Sequence, residues 1–241
     1  MKIALVTGAS SGIGYSVIEN LLKSGWKVYG LSRRDPGFGD NFIWLNIDLG
    51  VDEQIDSLST LITEKELGLL VSNAGIIFDE LPTKVTKKSF DEMFSINVLA
   101  PMLIINTLKT KLNKSYIISV SSDSDRFPSK NHALYGSSKA ANKLYFESLA
   151  LELKNSKIFT LLPSYIDTPM LRELKKNSSF NFDEVVKPNQ VYELIEQLIS
   201  NKLIISSGSK IIVANNPLKE DFINEESLYG YNTDTGELFS L

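Results

Sequence analysis

Tyr135 and Lys139 stand four residues apart at the start of a stretch with helical spacing that runs to about Leu153. Residues four apart share one face of a helix, so the phenol and the ammonium are neighbours. Such a phenol is an acid that can protonate a developing alkoxide if its ordinary pKa of ~10 comes toward 7, a change of about 4 kcal/mol. One cation at ~4 Å in an effective dielectric of about 20 supplies that much. The pair is unspecific alone, because with 9 tyrosines in the chain a Tyr-x-x-x-Lys arises roughly once by chance. Upstream, the apolar run Tyr116 to Val120 reads as a strand that delivers Ser121 and Ser122 to its C-terminal end. Ligands of open parallel sheets bind at that end. Ser122 offers a hydroxyl to developing negative charge, whereas Ser121 faces the other side of the strand and has a structural role. The loop between Ser122 and Tyr135 carries Asp123, Asp125, Arg126, Lys130 and His132, which favours a polar substrate. His132, the single histidine, reads as a solvated loop residue. No His/Asp/Glu cluster has metal-ligand spacing, so no metal is expected.

The elements that must hold these groups start at the N-terminus. Ile3 to Val6 is an apolar run without alternation, as in a buried parallel strand, and it ends in Thr7-Gly8. Glycines recur at Gly12 and Gly14, and helical spacing begins with Ile13, Val17, Ile18, Leu21 and Leu22. Strand, glycine turn and helix are the context of a dinucleotide fingerprint, in which backbone approaches a pyrophosphate at the helix N-terminus. The second strand, Trp26 to Leu31, delivers Ser32, Arg33 and Arg34. In such folds an acid at this place selects NAD through the ribose 2′-hydroxyl and an arginine accommodates the 2′-phosphate of NADP. Here Ser32 occupies the acidic position beside Arg33, which points to NADP(H) over NAD(H); surface arginines paired with Asp35 are the alternative. Phe42 to Leu49 reads as the third strand, and Asp48 suits a cap for the amphipathic segment 51–64. Leu67 to Val71 is the fourth strand and Lys88 to about Leu112 one long helix, with Asn97 inside it and Pro101 as a cause of kinking.

The T-G-x-x-x-G-x-G turn, Ser72-Asn73-Ala74-Gly75 after the fourth strand, Ser122 after the fifth and Tyr135-x-x-x-Lys139 occur in the order of one family. Over residues 1–214 the chain resembles a short-chain dehydrogenase/reductase. The resemblance implies an α/β fold, a single Rossmann-type doubly wound domain over 1–241. Its seven-stranded, mainly parallel sheet has the order 3-2-1-4-5-6-7, with helices on both faces. It implies hydride transfer between a nicotinamide and a carbonyl or alcohol, with Asn97, Ser122, Tyr135 and Lys139 as the catalytic residues. The implied cofactor contacts are Gly8, Ser10, Ser11, Gly12, Ile13 and Gly14, then Ser32, Arg33, Arg34, Asp48 and Leu49. Asn73, Ala74, Gly75, Tyr135, Lys139, Pro163, Ile166 and Thr168 complete the set. In the family the helix asparagine kinks its helix and holds a water on the proton path, which is the role implied for Asn97.

Three departures stand out. Ser72 replaces the first Asn of the family's turn, and Ser164 replaces a Gly after the sixth strand, Lys157 to Leu162. A positive φ at Ser164 would cost about 1 kcal/mol or more. After the seventh strand, Lys210 to Ala214, Asn215-Asn216-Pro217 stands where the family often has a glycine pair that supports tetramer contacts. The aperiodic polar segment 170–187 reads as a mobile substrate lid, followed by a helix from Pro188 to Ser200. In the extension 215–241, residues 227–239 read as a β-hairpin docking on a neighbouring subunit or beside the lid, with a frayed terminus as the alternative.

A formal net charge of −4 and no long basic run leave no electrostatic footprint for nucleic acid or an anionic membrane. Zero cysteines exclude disulfides and thiolate metal sites and fit a reducing compartment. No run reaches about 18 apolar residues, and the first strand at residue 3 leaves no room for a signal peptide. The expectation is a cytoplasmic homodimer or homotetramer that reduces a small polar carbonyl compound with NADPH. A dehydrogenase working in the oxidative direction and a non-catalytic dinucleotide sensor are the alternatives.

Overall fold

The computed structural model describes residues 1–215 and 228–240. Five short strands come first, with helices between all neighbours in sequence but β2 and β3: β1 Ile3–Thr7, β2 Lys27–Ser32, β3 Phe42–Asn46, β4 Leu69–Ser72 and β5 Tyr116–Val120. β6 Lys157–Pro163, β7 Lys210–Ala214, β8 Leu228–Asn232 and β9 Glu237–Ser240 follow. They form one sheet in the order β3-β2-β1-β4-β5-β6-β7-β8-β9, parallel throughout except for the antiparallel pair β8 and β9. The predicted order of the first seven strands holds, and the sheet is larger than expected by two.

Successive side chains of a strand point to opposite faces, and both faces here are apolar. Ala4, Val6, Val28, Leu69, Val71 and Ile118 meet helices α1 Gly12–Lys23 and α8 Pro188–Ile199 through Val17, Ile18, Leu21, Leu194 and Ile195. Their neighbours Leu5, Tyr29, Leu70 and Ile117 meet the opposite layer. It consists of α2 Asp52–Asp56, α3 Leu58–Leu61, α5 Ala100–Leu108 and α6 Ala133–Glu152. α4 Lys87–Phe94 and α7 Pro169–Lys175 complete the helices.

Several elements differ from expectation for local reasons. The predicted long helix divides into α4, a π-helical turn at Ser95–Leu99, and α5. Pro101 has no N–H to give the Asn97 carbonyl four residues back, and Asn142 Nδ2 donates to that carbonyl instead at 2.8 Å. Segment 170–187 is not aperiodic throughout. Thr168 Oγ1 accepts from Leu171 N (3.3 Å) and Pro169 takes the first helical position, so α7 starts where a capped proline start should place it. β2 and β3 are joined by residues 33–41 with no helix, although parallel neighbours usually need a longer crossover. Phe38 covers the strands in its place, its ring tilted against Tyr15 of α1 (centroids 4.5 Å) and edge-on to Phe42 of β3 (5.1 Å).

The hairpin is present, and its turn lies beside the lid: Thr233 Oγ1 donates to Asn215 Oδ1 (2.8 Å), whose Nδ2 donates to the Glu184 carbonyl (2.9 Å). Leu228 and Tyr231 are buried, and β8 pairs in parallel with β7 of the same chain along five residues. An unpaired β7 edge would expose ladder groups beside the apolar run Ile211 to Val213, and the hairpin satisfies both demands at once. Asn216, Pro217 and Ser227, which figure in the sequence argument, lie outside the described residues.

Candidate active site

The C-terminal ends of β1, β4, β5 and β6 open into one cavity of about 220 Å³. It brings together Gly8, Ser11, Gly12, Ile13, Asn73, Ala74 and Gly75 with Ser122, Tyr135 and Lys139, and with Pro163, Ile166 and Thr168. Ser10, Gly14, Ser32, Arg33, Arg34, Asp48, Leu49 and Asn97 do not line it. Ser121, assigned a structural role, lies at the cavity wall and also binds scaffold, its hydroxyl donating to the Lys139 carbonyl at 3.1 Å.

The glycine turn shows why small residues are needed. Gly8 takes φ +73°, and a Cβ at Gly14 would stand 2.3 Å from the Gly8 carbonyl oxygen. α1 therefore begins hard against the end of β1. Its N-cap Ser11 makes no side-chain cap, and its first turn holds no acid, so the leading N–H groups have no side-chain acceptor from the cap. That is a fit for an anionic pyrophosphate. Thr7 Oγ1 accepts from the Asn73 and Ala74 amides (3.0 and 2.9 Å), and Asn73 Nδ2 donates to the Thr7 carbonyl at 2.9 Å. Asn73 thus ties the two central strands together, as its amide allows.

Along the groove, Ser32 is buried and donates to the Arg34 carbonyl at 2.7 Å, which fixes a turn that leaves Arg33 and Arg34 exposed. Asp35 accepts from the Gly37 amide (2.8 Å), and among the described residues no carboxylate forms an ion pair with either arginine. Asp48 is not a helix cap, since the residue before α2 is Val51; its Oδ1 accepts from the Gly50 amide at 2.9 Å.

Asn97 is 1% exposed and its amide is fully engaged. Oδ1 accepts from Ile76 N (2.8 Å), while Nδ2 donates to the Ile76 carbonyl and to Ser138 Oγ (2.9 Å each). These contacts belong to the scaffold: they bind the π turn to the segment after β4 and to α6. Asn142 shares this work and was not singled out from sequence. The signal for it was Pro101, which orphans the Asn97 carbonyl and so demands a donor.

At the cavity floor Lys139 Nζ donates to the Val120 carbonyl (3.1 Å) and lies 5.7 Å from the centre of the Tyr135 ring. The Ser122 side chain beside Tyr135 draws the phenol pKa down. Sequence reasoning has the ammonium draw the phenol toward neutrality, and the structure gives the opposite direction. Burial pushes the Tyr135 phenol up to about 12, with Asp123 and Asp125 adding to the rise, and burial brings the Lys139 ammonium down to about 8. The ammonium sits over the ring face and spends a proton on backbone, so its attraction does not offset desolvation.

Two acids missed as site residues flank the pair. Ser122 Oγ donates to Asp123 Oδ1 at 3.3 Å and accepts from Ser124 N at 3.2 Å. Asp125 follows on the same 3₁₀ turn, Asp123–Asp125, its side chain fully buried with Lys143 Nζ at 3.6 Å. Burial raises both carboxyls to about 6. His132 is half-buried at the cavity, and burial lowers its pKa, so it is not a solvated loop residue.

The segment after β6 carries no strain at Ser164. Among the described residues, positive φ outside glycine is confined to Asn41, Lys114, Asn131 and Asn201. Ile166 bridges Val186, and Asp167 takes Arg172 bidentately (2.7 and 2.9 Å) together with Lys187 Nζ (3.0 Å). Both ends of the lid are therefore tied to the cavity wall. The described residues hold no cluster suited to a metal and no helix long and apolar enough to cross a membrane.

Comparison with known proteins agrees with this geometry. The chain is similar to an L-xylulose reductase of Caenorhabditis elegans, 27% identical over 236 residues, covering 88% of this chain and 94% of that protein. It is similar to a 3-oxoacyl-[acyl-carrier-protein] reductase of Vibrio cholerae, 28% identical over 187 residues, covering 72% and 77%. The crystal structure of a short chain dehydrogenase family protein from Francisella tularensis superposes with a TM-score of 0.81 at 25% identity, covering 88% of this chain and 96% of that one. The short chain dehydrogenase family model matches residues 2–179. With that match over most of its length, and with a glycine turn, a serine and a Tyr-Lys pair converging on one sheet edge, this chain belongs to the short-chain dehydrogenase/reductase family of NAD(P)-dependent oxidoreductases.

Proposed function

We propose that this protein reduces a carbonyl on a small polar substrate to an alcohol with NADPH, and that Tyr135 gives the proton. The observation that carries the reading is the convergence of Ser122, Tyr135 and a buried Lys139 on one cavity beside the glycine turn. When bound, the cofactor supplies a hydride to the carbonyl carbon. Tyr135 passes its proton to the oxygen, Ser122 donates a hydrogen bond to the developing charge, and Lys139 keeps a positive charge beneath the pair. A phenol held well above its ordinary pKa arrives at this step protonated, as reduction requires.

Gly8, Ser10, Ser11, Gly12, Ile13 and Gly14 would hold the pyrophosphate, and Asp48 and Leu49 the adenine. Asn73, Ala74, Gly75 and Lys139 would meet the ribose beside the nicotinamide, and Pro163, Ile166 and Thr168 the carboxamide. Ser32, Arg33 and Arg34 favour a 2′-phosphate, because the arginines have no ion-paired acid to displace. The names of the relatives span a sugar and an acyl thioester carrier, so polarity of the substrate rests on the cavity wall: Asp123, Ser124 and His132. The reading takes the chain as one dinucleotide-binding domain with its lid at 170–187. It is placed in the cytoplasm as a homodimer or homotetramer. Exposed Leu144 and Leu151 on α6 support the oligomer, and light scattering measures it.

A panel of hydroxy-ketones, aldoses, diketones and acyl thioesters, followed by loss of NADPH absorbance, tests the function. Turnover is expected with the hydroxylated members. Tyr135→Phe should reduce it to under about a hundredth while leaving NADPH affinity unchanged. A Tyr135→Phe enzyme that keeps more than about a tenth of the rate removes Tyr135 as the acid.

A further inference from the structure

The two arginines after β2 stand on a segment with little to hold it. Residues 33–41 reach β3 without a helix, and their first turn is fixed only at its base. There Ser32 Oγ donates to the Arg34 carbonyl at 2.7 Å, and Trp44 Nε1 of β3 donates to the Ser32 carbonyl at 2.9 Å. Among the described residues, the hydrogen bonds of residues 35–40 stay local. Asp35 Oδ1 accepts from the Gly37 amide at 2.8 Å, and Phe42 N donates to the Gly39 carbonyl at 3.3 Å. Gly37 and Gly39 have open space where a Cβ would stand, so the backbone on either side of position 38 is permissive.

Phe38 is the side chain of this stretch that packs on the core between the sheet and α1. Its ring centre lies 4.5 Å from that of Tyr15 and 5.1 Å from that of Phe42. Tyr15 follows Gly14 in the first turn of α1, the end that the glycine turn presents to a pyrophosphate. Phe42 fills the room that Gly30 of β2 leaves open, since a Cβ at Gly30 would stand 2.5 Å from its ring. Phe38 is thus seated between the helix suited to the pyrophosphate and the two strands that bear the arginine turn.

We propose that Phe38 is a positioning residue for the 2′-phosphate of the cofactor: held between Tyr15 and Phe42, it sets the arginine turn at a fixed distance from the N-terminus of α1. Arg33 then meets the 2′-phosphate while the pyrophosphate lies on the glycine turn. This rests on the reading of Arg33 and Arg34 as the 2′-phosphate contacts. A long side chain that has to be ordered on binding loses roughly two- to tenfold in affinity, and a turn ordered beforehand does not. The gain reaches only a cofactor that carries the 2′-phosphate. A merely structural phenylalanine would act on both cofactors alike.

Calorimetry of the full chain with NADPH and with NADH gives the preference as the ratio of the two dissociation constants. Phe38→Ala should lower the preference by about two- to tenfold, through weaker NADPH binding with NADH binding unchanged. Phe38→Tyr, which keeps the ring, should restore it. With Arg33→Ala and Arg34→Ala already in place, Phe38→Ala should lower it no further, because no guanidinium is left to position. An undiminished preference in Phe38→Ala, an equal loss for both cofactors, or a further loss without the arginines overturns the proposal. If Phe38→Ala fails to fold, Tyr15→Ala decides, since Tyr15 is 37% exposed and its removal frees Phe38 on the helix side. That variant too should lower the preference, and an unchanged value overturns the proposal. Equal affinities in wild type would refute the reading of the arginines and the proposal with it. A wild-type preference that survives Phe38→Ala would refute the role of Phe38 alone.

Discussion

At the scale of single residues, the cofactor end of the groove turns on Arg33. Its guanidinium is exposed beside a buried Ser32, and the next acid in the chain, Asp35, is bonded to the Gly37 amide. A charge-assisted guanidinium–phosphate contact is worth roughly 1.5–3 kcal/mol, so NADPH should bind at least about tenfold more tightly than NADH. Calorimetry on wild type and Arg33→Ala checks this, and equal affinities in wild type would refute it. Residue identity also set the limit of what was legible. Ser122, Tyr135 and Lys139 could be placed because strand ends and helix spacing fix where such side chains go. The direction of the Tyr135 shift could not, because it depends first on how deeply the phenol itself is buried, with Asp123 and Asp125 adding to the rise, and the polar loop before it gives no sign of such burial.

At the scale of elements, the strands were legible because parallel strands buried on both faces are continuous apolar runs. β5 and β7 have the bounds their runs suggested. The helix-free crossover between β2 and β3 was not, since one phenylalanine replaces a helix only if Tyr15 and Phe42 receive it. The polar lid segment shows no clear period in sequence, although Thr168-Pro169 is a start signal for α7 at its beginning. Asp167 anchors that lid, and the Arg172 guanidinium beside it, followed by Lys187, holds its carboxyl below the ordinary carboxylate range. A depressed folded-state value means that the contribution is complete above the unfolded value of about 4 and is lost as pH falls through the folded one. Asp167→Asn should therefore make proteolytic cleavage within 170–187 at neutral pH faster than in wild type. The difference should narrow on acidification toward the folded-state pKa. Equal cleavage rates at neutral pH would show that the tether does not hold the lid.

At the scale of the whole molecule, the sheet is closed at one end by the chain's own hairpin. Leu228 and Tyr231 are each 1% exposed, and Tyr231 OH accepts from Gln197 Nε2 of α8 at 3.0 Å. Burying two such side chains contributes roughly 1.5–3 kcal/mol apiece, and β7 gains a paired edge. A chain ending at Asn215 should lose several degrees in Tm and associate through the exposed β7, as measured by calorimetry and light scattering. An unchanged Tm and mass would show that β8 and β9 do not stabilise the fold.

The π turn before α5 has a consequence for how this sequence can vary. Pro101 withholds a donor from the Asn97 carbonyl, Asn142 supplies one from α6, and Ser119 of β5 donates in turn to Asn142 Oδ1 at 2.9 Å. Giving position 101 an N–H, as in Pro101→Ala, makes the Asn142 amide redundant. Removing that amide while Pro101 remains leaves a buried carbonyl unsatisfied, at a cost of about 1–3 kcal/mol. A double-mutant cycle of Pro101→Ala with Asn142→Leu should accordingly show a coupling of about 1 kcal/mol or more, whereas strict additivity would dissolve the unit. Positions 101 and 142, far apart in sequence, are in effect one heritable character.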